Sequence, residues 1–519
     1  MAFAWAVQRL CTIGATKKAY GPLILLSMHH PSHHLSRPRT SGRWAVPVAL
    51  ASALWIAGCS HTSSYQGISD AVPVPAQWSA VSAQPPSQTP EDLSRWWQQF
   101  GDVQMSTLIE QALQANPSVQ TAQAALRQAR AQLALSEANR QPSAGASLSG
   151  SRGKRAPSSA SNSFSAGIDA SWEPDWWGIQ GNAVQAGEAN VAAALASVEA
   201  AHVALAAEVA QTYIELRNLQ NRLEIAQNNL GIQTQNLQIA QWRLQAGLAT
   251  SLDVEQARQS SAQTAAQIPA LNTSIAQAIH ALSILTGQVP SALQEALSTA
   301  QALPTPPKNL ALALPADTLR QRPDVRAQEQ RVRAAVANLS AQERENFPSL
   351  ALRGSLGLTA MTLGALSTSG ATLATSIAAN LSQNLWDGGA NRARIADRQA
   401  AVDSARIAYR STVLSALKEV EDALVQLQGD QARLEQLKLA ETAARNAQLL
   451  ADQRYSSGLV DFQTVLDTQR TLLTSQDSAA SAQAAISTGY VRLYKALGGG
   501  WQALDADGQA RADNQTVNK

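Results

Sequence analysis

Cysteine, charge and aromatic side chains are all scarce in this sequence, and each scarcity removes a class of protein. Only Cys11 and Cys59 occur in 519 residues, too few for a disulfide framework or a thiolate metal site. Of seven histidines, four precede residue 35, and His61, His202 and His280 are widely separated, without metal-ligand spacing. No lysine-bearing phosphate loop, strand-linked Gly-x-Gly-x-x-Gly or Gly-x-Ser-x-Gly elbow occurs, so nucleotide binding and serine hydrolysis lack their usual carriers. Carboxylates are scattered among Arg and Gln, as on solvated helix faces, and Gly498-Gly499-Gly500 reads as a helix end. The residues predict no catalytic centre, no metal and no diffusible cofactor. Charged residues make up 15% and mean hydropathy is -0.16, and no run is expected to approach a long apolar transmembrane helix. A bilayer crossing would then need strands, because only helices and closed barrels satisfy their backbone there.

What is present begins with an export signal. Residues 1–58 hold six basic residues (Arg9, Lys17, Lys18, Arg37, Arg39 and Arg43) and no acidic one. An apolar run from Trp44 to Ile56 then meets Ala57-Gly58-Cys59. A positive region, a short apolar region and small residues before a cut define a secretory signal. Leu54-Trp55-Ile56-Ala57-Gly58-Cys59 has the form of a bacterial lipobox, with Cys59 as first mature residue and acceptor of a covalent lipid. An ordinary signal with an incidental cysteine is the plainer alternative, and Met28 is a second candidate start. Six of the 40 basic residues lie in this leader, leaving 34 against 38 acidic ones. The overall charge of +2 therefore belongs to the leader, and nucleic acid is not an expected partner.

Residues 60–90 are rich in Ser, Pro and Gln, the composition of an extended linker. Beyond Trp96-Trp97-Gln98-Gln99-Phe100, the chain repeats itself. Asn116-Pro117-Ser118-Val119 is echoed by Arg322-Pro323-Asp324-Val325 at an offset of 206 residues, which Pro142 and Pro348 share. Trp177-Gly178 answers Trp386-Asp387-Gly388, and Gly247-Leu248 answers Gly458-Leu459 at an offset of 211. Two copies are too few for a solenoid and predict a duplicated unit closing around a pseudo-symmetry axis. The expected organisation is a lipoprotein signal (1–58), a lipid-anchored linker (59–103) and a first repeat (104–290). That repeat carries a β-hairpin at 142–173 and a helical tip near 247. An equatorial linker (291–320), a second repeat (321–501, hairpin 348–386, tip near 458) and a disordered tail (502–519) complete it.

Within each unit the period switches. Phe164, Ala166, Ile168, Ala170 and Trp172 alternate with Ser163, Ser165, Gly167, Asp169 and Ser171; Ala144, Ala146 and Leu148 alternate with serines. In the second copy Leu350, Leu352, Leu356 and Leu358 form one alternating face, and Ile377, Ala379, Leu381 and Leu385 another. Four strands of about ten residues, apolar on one face and small-polar on the other, suit tilted crossings of a bilayer. A soluble sandwich with one wet face is the plainer alternative. Residues 180–246 and 389–457 then lack proline and predict helices of roughly 100 Å at 1.5 Å per residue. Leu216, Leu219, Leu223, Ala226, Leu230 and Leu237, with a polar slot at Gln233, keep coiled-coil spacing. Leu417, Val420, Leu424, Leu427 and Leu434 do so in copy two, with the slot at Gln431. Return helices over 251–286 and 462–496 are expected to stop at Gly287 and Gly498. Four strands cannot close a barrel, so the pattern requires oligomers.

In order, these motifs resemble the outer-membrane factor family of tripartite efflux pumps, in its lipoprotein branch. The carriers are the lipobox, Trp96 to Asp102, the two proline starts, and Ser382-Gln383-Asn384-Leu385-Trp386-Asp387-Gly388-Gly389. Arg243 to Leu248 with Leu252-Asp253-Val254, and Arg454 to Asp461 with Val465 to Arg470, complete the set. The resemblance implies a homotrimer whose twelve strands form one outer-membrane β-barrel, continuous with an α-helical coiled-coil periplasmic tunnel. It implies a passive exit duct for drugs or other small toxic compounds, served by a periplasmic adaptor and an inner-membrane resistance-nodulation-division transporter. The tips Gly247, Leu248, Ala249, Thr250 and Gly458, Leu459, Val460, Asp461 would contact the adaptor; ordinary turn glycines are the plainer alternative. Asp467, with Gln463 and Thr464, matches the periplasmic gate, where three carboxylates would attract cations and repel one another. Gln463 stands where an apolar residue is usual, leaving Val465 or Phe462 to supply an apolar seal. A protein-secretion channel and a pore-less lipid-anchored coiled-coil scaffold are the competing functions.

Overall fold

The computed structural model describes residues 74–501, apart from 76, 80–92, 155, 157–158, 307–314 and 368–369. The expectations for the signal, for Cys59 and for the tail lie outside the described residues, as does most of the linker.

Local signals start and stop each element. After a 3-10 segment at Leu93–Phe100, helix α1 (Val103–Ala115) is capped by Asp102, whose carboxylate accepts from the Met105 amide. Asn116 caps α2 (Pro117–Ala138), where Pro117 takes a first-turn position that needs no amide donor. Strands β1 (Ser143–Gly153) and β2 (Ser161–Trp172) follow, then α3 (Ile179–Gln245) and α4 (Ser251–Leu285). The second unit repeats the order as α5 (Pro323–Arg344), β3 (Ser349–Ala360), β4 (Thr372–Ser382), α6 (Ala390–Ser456) and α7 (Phe462–Ala496). Two short helices, Gln294–Ser298 and Pro315–Gln321, lie between the units.

The duplication extends to element length: 22 residues in α2 and α5, 67 in α3 and α6, 35 in α4 and α7. The offset grows from 206 to 211 across the strand connections, 154–160 and 361–371, so the insertion falls in the turn and leaves the helices in phase. The proline starts have equivalent partners. Asn116 Nδ2 donates to the Leu285 carbonyl at 2.8 Å, and the Arg322 guanidinium donates to the Ala496 carbonyl at 2.8 Å. Each unit thus ties the head of its first helix to the end of its return helix. Gly178 and Gly389, both left-handed, cap α3 and α6; the equivalent of Gly178 is Gly389, not the Gly388 suggested by the tryptophan echo.

Helices α3 and α4 do contain windows long and apolar enough to cross a membrane by length and composition, contrary to the expectation that no run approaches this. The physical context is different from a span. At 67 residues, α3 extends for roughly 100 Å, over three times the ~30 Å hydrocarbon core. It packs along α4, α5 and α7. The predicted seam holds in α3, where Leu216, Leu219, Ala226 and the polar Gln233 are buried. In α6 the buried polar position is Asp430, while Gln431 is exposed. Asp430 sits three residues after Leu427 and four before Leu434, on the seam; Gln431 is turned about 100° away.

The main core gathers midway along the long helices. Trp96 stacks on Tyr494 at 5.3 Å and meets Trp97 and Phe100 edge-on. The Gly500 amide donates to the Leu93 carbonyl at 2.8 Å, and a Cβ on Gly499 would lie 2.9 Å from that oxygen. The triple glycine therefore ends α7 and also seats the 3-10 segment against it.

Candidate functional site

The strands form one antiparallel sheet in the order β1-β2-β3-β4, so the duplicated hairpins join through β2 and β3. Register assigns each residue to a face, because directly paired residues point the same way. Leu148, Ala166, Leu358 and Leu373 form one row; Ala146, Ile168, Leu356 and Thr375 form the next; Ala144, Ala170, Gly354 and Ile377 follow. The opposite face has rows such as Ser149, Ser165, Thr359, Thr372 and Gly145, Asp169, Ser355, Ser376. The hydroxyls satisfy each other across strands: Ser149 with Ser165 at 2.7 Å, Ser355 with Ser376 at 2.7 Å, Ser349 with Ser382 at 3.0 Å. Among the described residues the apolar face is largely uncovered, with Ile377 94% and Leu381 72% exposed. Leu385, expected on the last strand, lies beyond its end at Ser382.

Tryptophans collect at one end of that face. The Trp172 indole donates to the Arg140 carbonyl and the Trp177 indole to the Pro348 carbonyl, at 3.0 and 2.7 Å. Trp177 stacks on Phe347 at 4.9 Å, while Trp176 and Trp386 are exposed. An apolar band edged by aromatic side chains is the pattern of a strand crossing at a membrane–water interface.

At the far end of the helices, the two predicted tips fold alike. Gly247 has φ 72° and Gly458 φ 73°. The Leu248 amide donates to Arg243 O at 2.7 Å, and the Leu459 amide to Arg454 O at 2.8 Å, which satisfies the carbonyls of each helix end. Both turns then present a leucine, Leu248 at 74% and Leu459 at 75% exposure. Ala249 and Val460 are half-buried. Thr250 caps α4 through a reciprocal box with Asp253, and Asp461 caps α7 by accepting from the Thr464 amide at 2.9 Å. The Thr464 hydroxyl and amide hold the Asp461 carboxyl below the usual carboxylate range. One apolar cluster joins the tips: Ala240, Val254 and Ala257 pack with Ala451, Phe462, Val465 and Leu466. Arg243 also lies over the Tyr455 ring at 4.5 Å, a contact no motif announced.

That cluster decides what the gate residues can do. Phe462 and Val465 are 5% and 1% exposed, so neither is free to form the apolar seal suggested for it. Helical geometry places them on the packed stripe and turns Gln463, Thr464 and Asp467 outward, where all three are exposed. Gln463 Nε2 donates to Asp467 Oδ1 at 3.0 Å, and Arg470 lies 3.7 Å from the same oxygen. The outward face is thus a polar triad, Gln463, Asp467 and Arg470. The arginine's three-residue spacing from Asp467 is a local sequence signal for this pairing.

A two-faced strand sheet carried on helical rods defines a membrane-channel subunit. The chain belongs to the outer membrane efflux protein family, whose model matches residues 108–288 and 314–499. It is an outer-membrane channel component of an efflux system. It is 30% identical over 484 residues to the pyoverdine export outer membrane protein OpmQ of Pseudomonas aeruginosa, covering 89% of this chain and 98% of that one. With the probable outer membrane lipoprotein SilC of Salmonella typhimurium it shares 28% identity, over 88% and 98% of the two chains. The solved outer-membrane channel OprN superposes with a TM-score of 0.78 at 33% identity, covering 83% of this chain and 97% of that one.

Proposed function

We propose that three copies of this chain close a twelve-stranded outer-membrane barrel above a helical tunnel, forming the exit duct of a proton-driven pump. The observation that carries this is the sheet itself: four strands, two open edges, one uncovered apolar face and one hydroxyl-lined face. Copies joined edge to edge would pair the backbone groups of β1 and β4, which a bilayer otherwise leaves without partners. Along α6, Ile407, Val425 and Leu439 are exposed in the single chain and supply apolar surface for neighbouring rods. The leucine-bearing tips are the docking surface for a periplasmic adaptor, which couples the duct to an inner-membrane resistance-nodulation-division transporter. Gln463, Thr464 and Asp467 line the periplasmic mouth. Small-molecule export is favoured over protein secretion because one relative's name specifies pyoverdine export and another's cation efflux.

Lipid anchoring at Cys59 is compatible with where the described chain begins. Val74 packs beside Val413 and Ala416, and Ser79 donates from its amide and hydroxyl to the Glu421 carboxylate, both at 2.7 Å. This segment therefore descends along α6 away from the strands. Fourteen residues lie between Cys59 and Val74, a stretch that can span up to ~50 Å, more than the ~35 Å of helix from Val413 back to Ala390.

Planar-bilayer recording of purified trimers tests the duct. Asp467→Ala should raise conductance severalfold by breaking the contacts that tie Gln463 and Arg470 to it at the mouth, and Gln463→Leu should lower it by introducing an apolar ring. Trimers of Asp467→Ala that conduct no ions would sink the channel reading.

A further inference from the structure

The geometry points to a charge-compensated lumen: Asp169 and Arg353 hold the membrane-spanning part of the duct electrically neutral, so that cargo of either sign passes it. The inference rests on the trimeric-barrel reading and goes beyond it, because it concerns which solutes the barrel admits.

Across all four strands only Arg152, Asp169 and Arg353 are charged. Arg152 pairs with Asn162 at the outer end of the hairpin, and its parity puts it with the apolar face. The hydroxyl-lined face therefore carries two charges per chain, of opposite sign, among Ser, Thr, Gly, Ala and Asn. They are also neighbours. Asp169 pairs with Ser355 and Arg353 pairs with Ser171, so the two lie diagonally across the β2–β3 junction, about 7 Å apart on the same face. Each comes from a different copy of the duplicated unit, and no local pattern in either hairpin puts them together.

A wide aqueous lumen screens charge over ~8 Å at physiological ionic strength. Charges closer together than this act on a passing ion largely as a dipole, and their fields cancel along the axis. Either residue alone, repeated three times around the barrel, would instead form a ring of one sign and select against like-charged solutes. Small side chains elsewhere on the face keep the passage wide without adding charge.

The test measures local potential inside the barrel directly, independently of the periplasmic mouth. Ser355 lies opposite Asp169 and two residues from Arg353. In purified trimers carrying Ser355→Cys, where Cys11 leaves with the leader and the lipid-bearing sulfur of Cys59 is blocked, modification rates are compared for a cationic trimethylammonium and an anionic sulfonate methanethiosulfonate. Asp169→Asn should lower the cation-to-anion rate ratio about fourfold, and Arg353→Gln should raise it about fourfold, from one unit charge at ~6 Å in water. The double variant should return to the parental ratio. Ratios that stay put in both single variants would overturn the compensation. A cysteine at 355 that is inert in trimers, while one at Leu356 reacts, would overturn the lumen assignment itself.

Discussion

Replacing the buried Arg217 with methionine should destabilise the chain. The guanidinium is fully buried. It donates to Gln104 Oε1 at 2.5 Å, Gln220 Oε1 at 2.6 Å, the Thr299 carbonyl at 2.9 Å and the Tyr213 hydroxyl at 3.1 Å. One side chain thus ties α1, α3 and the segment after the short helix Gln294–Ser298. Tyr213 donates onward to Asp102 at 3.0 Å, and burial pushes its hydroxyl up to about 12, so it stays protonated in any working buffer. Methionine fills most of the volume but leaves two amide oxygens and a carbonyl without their donor. Each orphaned acceptor costs about 1–3 kcal/mol. Relief from desolvating a cation offsets part of this, leaving an expected loss of about 2–4 kcal/mol. Lysine should fall between, since it keeps the charge but not the planar fork. Urea titrations of detergent-solubilised protein, followed by tryptophan fluorescence, would measure the loss. A loss below ~1 kcal/mol for methionine would refute the claim that these bonds hold the segments together.

Two glycines with the same backbone should separate strain from crowding. Gly287 and Gly247 have φ 73° and 72°, but a Cβ on Gly287 would sit 2.6 Å from the Ala115 carbonyl while Gly247 faces open space. Gly247→Ala should cost ~1–2 kcal/mol, and Gly287→Ala at least ~1 kcal/mol more in the same unfolding assay. A bulky residue at Gly458 should abolish drug resistance while leaving heat-resistant trimers on gels; unchanged susceptibility would remove the adaptor assignment. Burial holds the His202 imidazole below its ordinary value of 6.5. The unfolded chain therefore binds more protons there, and stability should fall as pH drops through ~6.5. His202→Gln should flatten the change in melting temperature between pH 7.5 and 5.5.

Much of the architecture was legible because it is written in local periods. Alternation at residues 163–172 specifies a two-faced strand whatever its partners, since successive side chains must point oppositely. Proline-free runs and glycine stops delimited the long and return helices to within a residue or so of their observed ends. Motif echoes at offsets of 206 and 211 encode the duplication independently of any contact. The tips were legible too, because a left-handed glycine followed by a capping residue is a local requirement.

Other features belong to the packed chain alone. The outward face of α7 depended on the tip cluster: Phe462 and Val465 look available in sequence, yet Ala240, Val254 and Ala257 of the other unit cover them. The seam of α6 chose Asp430 over Gln431 because one helical step moves a side chain through about 100°. Asn116 and Arg322 gained their role only when Leu285 and Ala496 were brought beside them, well over a hundred residues along the chain. Pairing across β2 and β3 likewise set Asp169 beside Arg353. Strand period determines which face a residue joins, whereas register between distant strands determines its neighbours.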